Sequence, residues 1–495
     1  MPTKPFLISI LPLDRAQPTP LYLQLYEGVR RAIINRQLTP GSSLPSTRDI
    51  AALLDISRNT VVNAFQQLIA EGYLETREKS STFVNRDLPE TLLSAPKISG
   101  IAHPSPEKPA LSKHGQMMAT AKAHQARKGN KHNIFTNGVP ALDLFPFDIW
   151  TRLIARHYRY APLSLFDETV SPQGYLPLRE ALANHLRTAR AVKCDAEQII
   201  ITSGSQQAFF LAAAMLLDPG DKVWMEDPGC MGPRAAFISH RADLVTIPVD
   251  EEGLNIEVGI ELAPNARVAY VNPSRQYPLG VTLSLARRLK LLEWAARANA
   301  WIIEDDYDSE FRYSGRPLAS LQGLDTTGRV IYIGTMSKIM FPALRIGYII
   351  VPRELVAAFT AARGAMDKYP PMINQLALHE FMTEGHFNRH LRRMRAVYDE
   401  RRGLCEDALN AELGGLIQLG TSDAGMHICG YLPPHMDDFA VAEAAEQHGI
   451  EVLPLSEFYL GPTQQHGLIL GYTGISPDYI RVGVQTLAKV LEQFV

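Results

Sequence analysis

The chain has 495 residues, 46% of them hydrophobic, and a formal net charge of −3. This length allows about three domains with sizeable cores. No apolar run approaches the roughly 20 residues that span a bilayer, and the N-terminus lacks a signal-peptide pattern. Four cysteines without CxxC spacing argue against disulfide scaffolds and zinc ribbons. We therefore expect a cytoplasmic protein with no membrane partner and no metal site.

The charge is unevenly distributed along the chain. Residues 1–134 contain 17 Lys/Arg against 10 Asp/Glu, whereas the remainder contains 32 against 42. Such an asymmetry favours a basic module that meets a polyanion and an acidic body that stays in solution. Most of the basic excess lies after residue 97, beyond the first predicted helices, so charge alone is weak evidence for a nucleic-acid partner.

Three predicted helices near the N-terminus include a closely spaced pair. Apolar spacing predicts a first helix within residues 20–38. Ser46 then caps a second helix, and Ser57, after a tight turn at Asp55, caps a third. Two short helices joined by so short a turn predict a helix-turn-helix, and residues 72–84 predict the β-hairpin of a wing.

Polar residues at the starts of that helix pair are the candidate DNA contacts. In a helix-turn-helix the second helix enters the major groove with its N-terminus first. Arginine can fork onto guanine and asparagine can read adenine, while cap hydroxyls contact phosphates. The candidates are Ser46, Arg48, Ser57, Arg58, Asn59 and Thr60. For each residue taken alone, a solvated side chain on a small helical bundle stays an open alternative.

The N-terminal segment resembles the winged-helix domain of the GntR regulators. The family's motifs are matched at residues 20–25, 40–48, 57–61, 70–72 and 80–84. The resemblance implies a domain over residues 19–87 that binds a double-stranded DNA operator. At the wing tip the family's Gly-Ser-Gly is replaced by Lys79, Ser80 and Ser81, which predicts a stiffer tip.

Residues 88–132 predict a flexible basic linker. They combine prolines, serines and lysines with little apolar periodicity. Such a stretch buries too little surface to offset the entropy of ordering its backbone. A helix is expected, if anywhere, around residues 116–126.

From about residue 133 apolar strands alternate with helices. Buried strands are predicted at residues 199–202, 222–226, 268–271, 301–305 and 330–334. The alternation predicts an α/β domain over residues 133–495, with a mainly parallel sheet covered on both faces. A functional site is then expected at the carboxyl ends of the strands.

Polar residues follow several of these strands. Ser205 and Gln206 come at a helix N-terminus, whose N–H groups suit an anion. Asp305 ends a strand and can hold a protonated ring nitrogen, with Tyr307 two residues on. Lys338 follows the next strand, where an amine can form a Schiff base with an aldehyde cofactor. The flanking residues that suit a phosphate are Thr335 and Arg345.

This half is similar to the fold-type-I aminotransferases, and the whole chain is similar to the MocR branch of the GntR regulators. The most specific matches are residues 304–313 and 334–345. The resemblance implies pyridoxal 5′-phosphate (PLP) bound to Lys338 as an internal aldimine, with Asp305 as pyridine partner and Tyr307 near the ring hydroxyl. It also implies a small α+β subdomain and a head-to-tail homodimer. The implied phosphate contacts are Ser205, Gln206, Thr335 and Arg345.

The chain departs from the family at two positions of this site. Cys230 stands where a tyrosine usually stacks on the cofactor ring, which removes an aromatic contact of about 1 kcal/mol. Ile469 stands where aminotransferases place the arginine for the substrate carboxylate, which disfavours binding of a free amino acid. The candidates for a substitute arginine are Arg234, Arg275 and Arg481.

These features predict a PLP-dependent transcription regulator whose aminotransferase-like domain senses a small-molecule effector, either an amino compound or PLP itself. The missing arginine favours PLP, with vitamin B6 genes as a possible target. Two alternatives stay open: an active aminotransferase with an accessory DNA-binding domain, and a PLP-free dimerisation scaffold.

Overall fold

The computed structural model describes residues 13–15, 17–77, 81–88, 110–120, 133–167, 171–314, 318–421 and 423–495. Wing-tip residues 79 and 80 and most of the predicted linker lie outside these ranges. The chain divides into two compact units, Met1–Ala110 and Leu111–Val495. No helix within the described ranges is long and apolar enough to cross a membrane.

The N-terminal unit contains three helices and a hairpin. They are α1 (Leu21–Ile34), α2 (Thr47–Leu54), α3 (Arg58–Ala70), β1 (Leu74–Arg77) and β2 (Ser81–Val84). Apolar faces of α1 and α3, including Leu25, Val29, Val61 and Phe65, form its core. The strands pair antiparallel, and Ser43 bridges to Phe83 beside them. This is the winged helix-turn-helix that the capping and apolar spacing predicted.

The C-terminal unit is built on an eight-stranded sheet. Its strands are β3 (Ile199–Thr202), β4 (Lys222–Asp227), β5 (Asp243–Asp250), β6 (Gly253–Leu254), β7 (Val268–Val271), β8 (Trp301–Asp306), β9 (Val330–Thr335) and β10 (Gly347–Ile350). The spatial order is β3-β10-β9-β8-β7-β4-β5-β6. Pairs among β5, β4, β7, β8 and β9 are parallel, whereas β10 runs antiparallel to both of its neighbours.

The α-helices described in the C-terminal unit cover both faces of this sheet and also pack against a smaller sheet and against one another. They are α4 (Lys113–Thr120), α5 (Phe147–Tyr160), α6 (Leu176–Arg190), α7 (Ser205–Leu216), α8 (Met231–Ser239), α9 (Ile256–Leu262), α10 (Leu285–Ala298), α11 (Leu321–Leu324), α12 (Val356–Asp367), α13 (Met372–Thr383), α14 (His386–Leu413), α15 (Asp438–Gln447) and α16 (Pro477–Leu491). Consecutive residues of a strand point to opposite faces. Val223 and Trp224 of β4 accordingly enter two different apolar cores.

A smaller sheet of four strands accompanies α14, α15 and α16. Its strands are β11 (Gln418–Leu419), β12 (His427–Tyr431), β13 (Leu453–Pro454) and β14 (Gly467–Gly471), in the order β11-β12-β14-β13. Together with the large sheet it gives the fold-type-I architecture with a mainly parallel sheet and a small α+β part.

Helix α4 falls within the stretch predicted to be a flexible linker. It packs against α8 and lies in the C-terminal unit, which starts at Leu111. Over these residues the structure differs from the expected tether, because a distant helix provides packing that local periodicity does not reveal. The helix starts at Lys113 instead of residue 116, and residues 121–132 lie outside the described part of the chain.

Candidate functional site

Helices α2 and α3 each begin after a serine whose hydroxyl caps the helix. Ser46 Oγ accepts a hydrogen bond from the Asp49 N–H at 3.2 Å, and Ser57 Oγ accepts one from the Thr60 N–H at 3.1 Å. Asp55, at φ 50°, is left-handed and closes the turn between the helices. The two caps therefore fix where the helices begin and how their first turns are oriented.

The predicted DNA contacts lie at these two helix starts. Arg48, Arg58 and Asn59 are exposed, as are the two cap serines. Thr60 differs, because its hydroxyl lies 2.9 Å from Ser57 Oγ and helps to close the cap. An exposed Arg-Asn pair on the first turn of the second helix suits a helix that reads base edges in the major groove.

In the C-terminal unit the remaining candidates meet at one edge of the large sheet. Gly347, at the start of β10, pairs with Thr202 on one side and Thr335 on the other. This register brings the N-terminus of α7 next to the turn that carries Lys338. Asp305 lies near the end of the neighbouring β8. The register of these strands is therefore enough to bring the predicted cofactor residues close together.

Asp305 is a buried carboxylate with only one satisfied oxygen. Its Oδ2 accepts a 2.6 Å hydrogen bond from Tyr270, and Asn272 Nδ2 donates to its main-chain oxygen at 3.0 Å. Its Oδ1 is buried and has no hydrogen-bond partner among the described residues. Burial raises the Asp305 pKa to about 6, against the lowering effects of Tyr270, Asn272 and Lys338. A protonated ring nitrogen is a donor that fits this oxygen.

Lys338 meets a segment far away in the chain. Its Nζ donates to the main-chain oxygen of Gly138 at 3.0 Å. Gly138 has φ +68°, and a Cβ there would lie 2.3 Å from that nitrogen. The neighbouring Asn137 donates to the Tyr277 hydroxyl at 2.7 Å. Nothing in the local sequence marked Asn137 or Gly138, because their role depends on a contact across 200 positions.

A cradle of close backbone contacts lies beside the lysine turn. Gly204, at φ +92°, precedes α7, and a Cβ there would lie 3.0 Å from Arg345 Cζ. The Arg345 guanidinium donates to Ser203 O. Thr335 Oγ1 accepts from the Ser337 N–H at 3.2 Å, and the buried Ser337 Oγ has no partner within the described chain. First-turn N–H groups, a spare hydroxyl and a guanidinium together fit a phosphate.

Gln206 is a predicted phosphate residue whose side chain is directed elsewhere. Its Nε2 donates to Gly232 O at 2.9 Å, and a Cβ on Gly232 would lie 2.7 Å from its Oε1. The side-chain amide therefore holds the start of α8 against α7. Gln206 can offer only its main-chain N–H to an anion, next to Ser205 at the first position of α7.

Tyr307 belongs to a buried polar cluster around Arg275. Arg275 Nη1 lies 3.3 Å from the Tyr307 hydroxyl and 3.5 Å from Asp308 Oδ2, and its Nη2 donates to His427 O at 2.7 Å. Burial raises the Asp308 pKa to about 7 although Arg275 lowers it. Burial and Arg275 hold the His427 pKa well below its usual value. A Cβ on Gly425 would lie 2.3 Å from Arg275 Cζ, so only a glycine leaves room for this guanidinium.

The two side chains that depart from the family pattern, Cys230 and Ile469, carry no charge in the structure. Cys230 precedes α8, and burial with the nearby Asp305 charge raises its thiol pKa to about 11. Ile469 is fully buried on β14 and pairs with Cys429 of β12. The described residues hold no group of three His, Cys, Asp or Glu side chains that suits a metal ion.

The three candidate substitute arginines are placed differently. Arg275 is engaged with Asp308 and the His427 main chain. Arg481 is exposed on α16. Arg234 donates to the main-chain oxygen of Phe458 and keeps a buried Nε that has no partner among the described residues. Of these three, Arg234 is the one that combines burial with an unused donor.

Known regulators are similar to nearly the whole chain. Residues 21–84 match the family described as bacterial regulatory proteins, gntR family, and residues 163–491 match aminotransferase class I and II. The probable rhizopine catabolism regulatory protein MocR of Rhizobium meliloti is 40% identical over 97% of this chain and 95% of its own. The pyridoxine biosynthesis transcriptional regulator PdxR of Corynebacterium glutamicum is 31% identical over 95% of each chain.

Solved aminotransferases are similar to the C-terminal unit. The kynurenine aminotransferase of Pyrococcus horikoshii superposes with a TM-score of 0.68 at 28% identity, over 77% of this chain and 93% of its own. The multiple substrate aminotransferase of Thermococcus profundus gives 0.70 at 26% identity, over 77% and 97%. The chain therefore belongs to the MocR branch of the GntR family, DNA-binding transcription regulators that join a winged helix-turn-helix to a PLP-binding domain of the aminotransferase class I and II fold.

Proposed function

We propose that this regulator senses PLP itself and that filling the site at Lys338 changes its affinity for operator DNA. When bound, PLP supplies an aldehyde that bonds reversibly to an amine. In the proposed site Lys338 provides the amine, Asp305 Oδ1 binds the ring nitrogen and Tyr307 lies toward the ring hydroxyl. The proposed phosphate contacts are Ser205, the main-chain N–H of Gln206, Thr335 and Arg345.

The unpartnered Oδ1 of Asp305 is the observation that carries this proposal. A buried carboxylate oxygen without a donor is costly, and the same low dielectric strengthens any charged donor placed against it. The positive charge of Lys338 already lowers the Asp305 pKa, which supports the two groups acting on one ligand. A protonated pyridine supplies the donor that the protein leaves out.

The surroundings of the site favour PLP over a free amino acid as the effector. Ile469, at the position where an aminotransferase needs a fork for a carboxylate, is a fully buried apolar side chain and provides no such fork. Arg275 is already engaged within its cluster. The relative from Corynebacterium glutamicum is named for pyridoxine biosynthesis, which supports vitamin B6 genes as the target.

We propose that the regulator works as a head-to-tail homodimer. Residues 19–87 of each chain would read one half-site, and residues 133–495 would form the sensing body. Residues 88–132 would connect them, with α4 docked on the sensing body. The spacing of two reading helices must match the spacing of the half-sites. A ligand shifts such an equilibrium only through its different affinity for the two arrangements. PLP must therefore bind one dimer arrangement more tightly than the other.

Fluorescence anisotropy with a labelled operator fragment tests the proposal at one fixed salt concentration, since salt alone changes DNA affinity strongly. PLP-free and PLP-loaded protein should differ in affinity by about fivefold or more. Lys338→Ala should remove that response and still bind DNA. Equal affinities of the two forms, with loading verified by absorbance, would overturn the sensor function.

A second candidate function is an active aminotransferase with an accessory DNA-binding domain. The lysine, the buried aspartate and the phosphate cradle favour it, as does similarity to the Pyrococcus horikoshii kynurenine aminotransferase. Continuous conversion of an amino acid and a 2-keto acid would establish this function. Because Ile469 cannot pair with a carboxylate, we expect weak binding of both substrates. A reaction that stops after one equivalent of product per site would favour the sensor. A protein that is colourless and takes up no PLP would instead point to a dimerisation scaffold.

A further inference from the structure

A cavity of about 590 Å³ lies between α6, α14 and the segment Ser309–Arg312. None of the residues that line it belongs to the proposed cofactor site. The segment Tyr307–Arg312 separates the two places: Tyr307 and Asp308 contact Arg275, and the next residues line the cavity. This volume falls within the range of small-molecule sites and is far larger than a single ion needs.

The walls of this cavity contain polar groups whose hydrogen bonding is incomplete. Glu310 is 7% exposed, and its carboxylate has an ionic contact at 3.9 Å with His185 Nε2, too long for a hydrogen bond. His185 Nε2 and Arg312 Nε are buried and have no hydrogen-bond partner in the described chain. Buried polar atoms are nearly always paired, so unpaired ones beside a cavity point to a ligand that completes them.

The charge of the lining is positive. Arg190 is neutralised by Asp306, at 2.8 Å. Arg312, Arg392 and Arg395 also line the cavity, and none of them forms an ion pair with a carboxylate of the described residues. Three arginines against the single carboxylate of Glu310 leave a formal excess of two positive charges, which a dianion would match.

We propose that this cavity binds a phosphate monoester that carries hydroxyl groups. A phosphate monoester is close to a dianion at neutral pH, and guanidinium groups bind its oxygens through forked hydrogen bonds. The Glu310 carboxylate accepts hydrogen bonds only, so it suits a hydroxyl of the same ligand and repels a second anionic group. This site does not depend on PLP at Lys338, and the two assignments can fail independently.

Calorimetric titration of the full-length protein with glycerol 3-phosphate, with and without prior incubation with PLP, tests the site at fixed ionic strength. One saturable site per chain is expected. Arg312→Gln and the exposed Arg392→Gln should each weaken binding about tenfold or more, as loss of one hydrogen bond between charged groups predicts. The matched control is Lys290→Gln on α10, which removes an exposed cation paired with Glu257 and should leave binding unchanged. Unchanged thermal unfolding verifies that the variants are folded.

Methyl phosphate, which has no hydroxyl group, tests the role of Glu310. The parent protein should bind glycerol 3-phosphate severalfold more tightly than methyl phosphate, and Glu310→Gln should reduce that preference. The absence of saturable binding would overturn the proposal. Binding that Arg345→Gln abolishes and Arg312→Gln leaves intact would also overturn it, because the probe would then occupy the cofactor's phosphate cradle.

Discussion

Tyr270 donates its hydroxyl hydrogen to Asp305 Oδ2 at 2.6 Å and leaves the other oxygen of the same carboxylate buried without a partner among the described residues. The tyrosine fixes the orientation of the carboxylate, so that Oδ1 is held ready for one further donor. This arrangement makes Asp305 the residue through which the proposed cofactor site is best tested.

Asp305→Asn should weaken PLP binding by about ten- to a hundredfold, because a hydrogen bond to a charged group contributes about 1.5–3 kcal/mol. Titration of the protein with PLP, followed by visible absorbance, measures the change. Tyr270→Phe is the control, since it keeps the negative charge and should weaken binding less. Parent-like affinity in Asp305→Asn would show that this carboxylate does not hold the ring.

The raised Asp305 pKa predicts a pH dependence of stabilisation by the cofactor. In the PLP-free protein this carboxyl has a pKa of about 6, above its unfolded value near 4. The folded state therefore loses stability as the pH rises from about 4 to about 6. A protonated ring nitrogen offsets the loss. PLP should therefore raise Tm more at about pH 7.5 than at about pH 5.5. The difference should disappear in Asp305→Asn, and an equal Tm increase at both pH values would contradict this account.

Arg275→Met should destabilise the protein by about 3 kcal/mol or more above pH 8, because it leaves the buried Asp308 carboxylate without its partner. The pKa of Asp308 is raised to about 7, so below that value the group is largely protonated and the loss should be smaller. Denaturant unfolding at several pH values measures this trend. Adding Asp308→Asn should remove the pH dependence; if the double variant keeps it, another group is responsible.

Arg58→Ala and Asn59→Ala should each weaken operator binding by about five- to a hundredfold, since a bidentate base contact contributes about 1–3 kcal/mol. Both side chains are exposed on the first turn of α3, so folding should not change. Arg31→Ala, an exposed arginine on α1, is the matched control for charge. Equal losses in Arg58→Ala and in the control would indicate general charge attraction without base reading.

Local signals allowed much of this architecture to be predicted. Ser46 and Ser57 marked the starts of α2 and α3 because cap hydroxyls act within three residues. Apolar runs marked β3, β4, β7, β8 and β9 because a strand buried on both faces needs apolar side chains throughout. The places of Asp305 and Lys338 at and after the ends of such strands predicted them as site residues.

The contacts that complete the site could not be predicted in the same way. Tyr270 is one apolar-looking position inside β7, and its hydroxyl acquires a role only through the neighbouring strand. Gly138 reaches Lys338 from a distant segment. The side chain of Gln206 turns to Gly232 because α8 packs beside α7, which a local motif does not encode. Tertiary packing decides each of these cases.

The most direct test of the central claim is borohydride reduction of freshly isolated protein, followed by peptide mass spectrometry. The account predicts a pyridoxyl-phosphate mass increase on the peptide that contains Lys338, and no increase on that peptide in Lys338→Ala. Full occupancy should coincide with the form whose DNA affinity has changed. An unmodified Lys338 peptide after incubation with excess PLP, or the same adduct spread over many surface lysines, would contradict it.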